Sequence, residues 1–128
     1  MGRMALCLVP TLMSYCTVET RASPELVALR DIMNVHQAEA EFHSIRGRYG
    51  SLQELGPDGA NLISRELARG IHYSYKFSLS PTETRYVVRA RPLQWGKDAW
   101  RCFYSDETRI VRQNRTNNEA TAQSERVY

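Results

Sequence analysis

A chain of 128 residues that is 42% apolar and 24% charged is sized for one domain and is too apolar for wholesale disorder. Its net charge of +3 is small for a nucleic-acid binder. Cys7, Cys16 and Cys102 lack the paired spacing of a zinc or dithiol site.

Residues 1–22 read as a leader-like segment. Arg3 precedes an apolar run from Met4 to Met13, and Thr20-Arg21-Ala22 offers small residues before Ser23 as a cleavage site. The run falls short of the roughly 20 apolar residues that span a bilayer. Export to the periplasm, cell surface or extracellular space is the expectation.

Ser23-Pro24-Glu25 is a helix start: a serine acceptor for an orphan amide, a proline pre-set for the first turn, and an acid at the positive dipole end. The helix runs to Arg46, with Gly47 as its stop. Ala28, Ile32, Val35, Ala38, Phe42 and Ile45, continued by Tyr49, form the expected buried stripe. A second stripe of Leu26, Leu29, Met33, His36 and Ala40 exceeds what one sheet covers, so Leu26, Leu29, Met33 and Ala40 are expected to face a partner.

Ser51–Leu55 reads as a single helical turn between glycine-rich turns, and residues 61–69 as a short helix capped by Gly70. The period then changes to two. Strands are expected at 73–79, 85–91, 101–105 and 109–113, joined by short connections into an antiparallel meander. The fold class is therefore α+β, a long N-terminal helix packed on a three- to four-stranded antiparallel sheet over residues 23–113. Residues 114–128 read as a frayed polar tail.

His36, Glu39 and His43 share a helix face at metal-ligand spacing, but three residues on an amphipathic helix are more simply a solvated face, and no metal is expected. No nucleophile motif, phosphate loop or dinucleotide fingerprint occurs, so no catalytic residue and no cofactor are assigned. The second half of the chain is the basic one, with twelve Lys/Arg against seven Asp/Glu in residues 65–128. Arg85, Arg89, Arg91 and Arg101 lie among Tyr73, Tyr86, Trp95 and Trp100, a mixture able to hold a polyanion; the plainer reading is a sheet face solubilised by arginine.

Four strings in fixed order, HSIRGRYGSLQELG at 43–56, ARG at 68–70, YSYKF at 73–77 and FYSDETRIVR at 103–112, resemble the soluble domain of type IV pilin-like and type II secretion pseudopilin proteins. Phe42, Tyr49, Leu52, Leu55, Gly70, Tyr75, Phe77, Phe103, Ser105, Asp106 and Ile110 occupy the matching places. The family's N-terminal helix signature is lacking, so residues 1–22 are either a secretory leader or the remnant of that helix. The resemblance implies a non-enzymatic structural or accessory subunit, or a secreted relative, whose partners are other pilin-like subunits. The alternative is a free-standing exported binding domain for a polyanion such as DNA.

Overall fold

A computed structural model describes residues 23–128, so the expectations for the leader-like segment lie outside the described residues. Helix α1 spans Pro24–Arg46. The Ser23 side chain accepts from the Leu26 amide at 3.2 Å, and Gly47, at φ 74°, ends the helix by returning its own amide to the His43 carbonyl. Two single-turn helices follow, α2 (Leu52–Leu55) and α3 (Arg65–Ala68). A reciprocal pair of hydrogen bonds between Ser51 and Glu54 opens α2. The short helix starts later than expected, because Asn61 sits at φ 58° and Ser64 is the capping residue.

The remaining elements are β1 (Ile71–His72), β2 (Tyr75–Pro81), β3 (Tyr86–Pro92), β4 (Cys102–Asp106), β5 (Arg112–Asn114) and β6 (Glu125–Arg126). They form one antiparallel sheet in sequential order. This corrects the expected architecture. The sheet has six strands, not three or four, and is the dominant layer, with α1 the one helix longer than a turn among the described residues.

Tyr73 and Ser74, both at positive φ, form the tight turn between β1 and β2, so β2 begins at Tyr75. Arg109, at φ 65°, belongs to the turn after β4, which delays β5 to Arg112. The expected frayed tail is instead folded: β6 pairs with β5, and Ala120 is buried against Cys102 and Tyr104.

Helix α1 lies across one sheet face. Ala28, Ile32, Val35 and Phe42 share a core with Tyr75, Phe77, Val88, Ala90 and Phe103. Strict alternation in β2 and β3 sends Lys76, Ser78, Arg89 and Arg91 to the other face. Strand β4 is covered on both sides, since residues 115–124 cross its outer face. Ile45, expected on the buried stripe, is exposed, because the chain leaves the helix one residue beyond and no strand reaches under it.

Candidate functional site

Three regions carry the chemistry. The first is the outward line of α1. Leu26, Met33 and Ala40, spaced seven apart, fall on one line of the helix surface and are exposed, Leu26 by 55% and Met33 by 46%. Leu29, assigned to the same partner-facing set, is only 7% exposed and belongs to the core. One helical turn from Leu26, it rotates far enough toward the sheet to be covered.

Beside the start of this line stands Trp100, 62% exposed. Its amide donates to Glu25 at 2.9 Å, the Arg101 guanidinium donates to the other Glu25 oxygen at 3.1 Å, and Trp95 meets its ring edge-on at 6.3 Å. Further along, Asn34, Gln37 and Glu41 of α1 face Asn61 and Ser64 across a shallow cleft of about 450 Å³. The line is thus apolar with a polar flank.

The second region is the outer sheet face, where the candidate polyanion contacts lie. A groove of about 190 Å³ runs between Lys76, Ser78, Arg89, Arg91 and Glu119. Its arginines are committed within the chain: Arg91 donates to the Asn117 side chain at 2.8 Å, and Arg89 donates to the Ala120 carbonyl while its guanidinium lies over the Tyr104 ring. Arg85 pairs with Glu107, and Arg101 bridges Glu25 and Gln113. The structure does not bring these four together as a free cationic patch: the folded tail holds Arg89 and Arg91, Glu25 and Gln113 hold Arg101, and the largely exposed Arg85 pairs with Glu107 in the turn after β4.

The third region is a buried polar cluster that the sequence reading assigned to solvent. His36 is enclosed between α1 and the sheet, with Nδ1 at 2.6 Å from the Tyr86 hydroxyl and Nε2 at 2.8 Å from Ser105 Oγ. The Ser105 hydroxyl proton is directed to the Ile110 carbonyl at 2.9 Å, so Ser105 accepts from Nε2–H and Tyr86 donates to Nδ1. The imidazole is neutral and fully bonded. Burial above all, with the Arg109 charge next, lowers its pKa to about 4.

Glu39, one turn on, is 0% exposed. Its Oε1 accepts from the Gly50 amide at 2.8 Å; its Oε2 has no hydrogen-bond partner among the described residues. Burial raises its pKa to about 7. The sequence held a signal for this placement: residues 28, 32, 35, 39 and 42 follow one unbroken 4-3-4-3 seam, and Glu39 stands in the middle of it.

His43, third of the metal-spaced set, stacks instead on Tyr49 at 4.5 Å between centroids. Among the described residues no group of three His, Cys, Asp or Glu side chains is placed to hold a metal ion. Ser105 and His36 resemble a nucleophile and base only in type. Both are sealed from solvent and the serine proton is already given to a carbonyl, so no substrate atom has a route to the pair.

Comparison with family models, curated proteins and solved structures found no match.

Proposed function

We propose that this chain is a non-enzymatic accessory subunit of an exported assembly of the type IV pilus or type II secretion pseudopilus kind, docking through the outward line of α1. The observation that carries this reading is the exposed row of Leu26, Met33 and Ala40 on a helix whose opposite face is buried from Ala28 to Phe42. Two large apolar side chains, each about half exposed and so able to gain roughly half of the 1.5–3 kcal/mol that full burial is worth, favour burial against another helix. The order of the four sequence strings supplies the kind of assembly. The polyanion alternative is weaker, since three of its four arginines already serve the tail and Glu25 and the fourth, Arg85, pairs with Glu107.

The test replaces Leu26 and Met33 together by glutamate, sparing Leu29, which belongs to the core. Wild-type protein cross-linked in its native host is expected to recover identified pilin-like subunits. The L26E/M33E protein, shown to be folded by circular dichroism, is expected to recover none, because its charges would be buried unpaired in the complex. Equal recovery by both removes the helix as the docking surface. Recovery by neither, with salt-sensitive retention on DNA, transfers the function to the outer sheet face.

A further inference from the structure

Glu39 joins two parts of the fold that nothing else ties in the same way. Its carboxyl leaves α1 and takes the amide of Gly50, in the turn that leads from Gly47 to Ser51. The turn is pressed close: a Cβ on residue 50 would lie 2.9 Å from the Phe42 ring, so only glycine lets this backbone reach the carboxyl. The bond is enclosed, and the second carboxyl oxygen is enclosed without a partner.

An ionised carboxylate in that position would have one hydrogen bond and no counter-charge in contact. The groups around it explain why. Arg48, the cation of the turn, is held by both oxygens of Glu54 at 3.1 and 2.7 Å, so its charge is already matched, and Glu54 itself is a further negative charge. From β3 comes the Tyr86 hydroxyl, engaged with His36, and from the turn the Tyr49 ring, edge-on to Tyr86 at 4.7 Å. His36, on α1 itself, is neutral and turned toward Tyr86 and Ser105. Asp106 and Arg109 act on His36 from the far end of β4. None of these supplies Glu39 with a positive partner.

We propose that Glu39 is a protonation-dependent latch, which in its uncharged form holds the 47–51 turn onto α1 and on losing its proton releases it. The sign follows from linkage. Burial raises the closed-state pKa to about 7, whereas a carboxyl opened to water returns to the ordinary 4.5. The closed turn is therefore most favoured below pH 4.5, and its advantage is lost as the pH rises to about 7, beyond which it changes no further. Across that window the open population grows about tenfold per pH unit. Opening the turn leaves the bonds of His36 intact, since none of them goes to residues 47–51.

Amide hydrogen exchange of the described domain, corrected for the intrinsic base catalysis of exchange, reads this directly. The protection of the Gly50 amide is expected to fall about tenfold per pH unit between pH 5 and 7. The Phe77 amide of β2, bonded to the Gly70 carbonyl just ahead of β1, serves as the internal reference and is expected to stay level. In Glu39→Gln, which keeps an oxygen for Gly50 and never ionises, the Gly50 protection is expected to be flat. Should that variant fail to fold, carboxyl ¹³C titration of wild type decides: a midpoint for Glu39 near neutrality supports the latch, and one in the ordinary carboxylate range overturns it. Equal pH dependence at Gly50 and Phe77 in wild type, or at Gly50 in both proteins, also overturns it.

Discussion

The two halves of α1 are held to the same sheet with different polar partners. In residues 24–34 the tie is made mainly by apolar side chains, with Val27, Ala28, Leu29 and Ile32 buried; Glu25 binds Arg101 and the Trp100 amide at the margin, and Asp31 is buried against His72 at 2.6 Å. Its outward side is nevertheless apolar at Leu26 and Met33. In residues 35–46 the core itself turns polar, with His36 and Glu39 beneath the helix, while Gln37, Glu41 and Ser44 face water. Each half thus exposes an apolar side chain, Leu26 and Met33 in the first and Ile45 in the second, and each buries ionisable ones, Asp31 in the first and His36 and Glu39 in the second. Burial largely follows what the packed elements can satisfy: β3 and β4 offer hydroxyls to His36 and β1 offers His72 to Asp31, whereas Glu39 meets only the Gly50 amide and keeps one oxygen unbonded.

The largest effect that would separate the halves is expected at Phe42. Its ring is closed off by Gly50 and by the Arg46 and Arg48 guanidinium groups at 5.2 and 5.3 Å, so Phe42→Ala should cost about 3–5 kcal/mol in urea unfolding. Next comes the pH response of the polar core. Glu39 has its pKa raised from 4.5 to about 7, so its contribution to stability is full below pH 4.5 and lost as pH rises to about 7. His36 has its pKa lowered from 6.5 to about 4, so its contribution is full above pH 6.5 and lost as pH falls to about 4.

The two slopes oppose each other in wild type. Removing one exposes the other: on going from pH 7 to 4.5, Glu39→Gln should lose about 3 kcal/mol relative to wild type. His36→Gln should show the reverse trend. Parallel urea curves for wild type and Glu39→Gln at every pH would mean that the carboxyl is not enclosed as described.

In the first half, Leu29→Ala should cost about 2–3 kcal/mol, the lower part of the range for such truncations, because the residue lies at the edge of the core. The smallest effect is expected one turn away. Leu26→Glu with Met33→Glu should change stability by no more than about 1 kcal/mol, since neither side chain belongs to the core and about half of each is already in water. A large loss there would show that the outward line is part of the fold and not a docking surface.

Much of this was legible before folding, and where it was, the interactions are local. Ser23-Pro24 and Gly47 bound α1 because capping depends on amides three or four residues away. The Ser51–Glu54 turn and the alternation of β2 and β3 follow for the same reason. The heptad spacing of Leu26, Met33 and Ala40 likewise needs only helix geometry, although that geometry gave no means of excluding Leu29.

The strand count escaped the sequence because β1 and β6 are two residues long, too short for alternation to register; each exists only because a neighbouring strand pairs with it. The tail escaped because a run of polar residues carries no period, and its place is set by Ala120, Asn117 and Thr116 meeting side chains of β3 and β4. Residue types in α1 marked His36 and Glu39 as polar, while the decision to bury them was made by Tyr86, 50 residues on, Ser105, 69 residues on, and Gly50, across a turn. Chain-local hydrogen bonding is written in neighbouring residues, but whether an ionisable group can afford to leave water depends on donors and acceptors that only the assembled sheet and turn bring within reach.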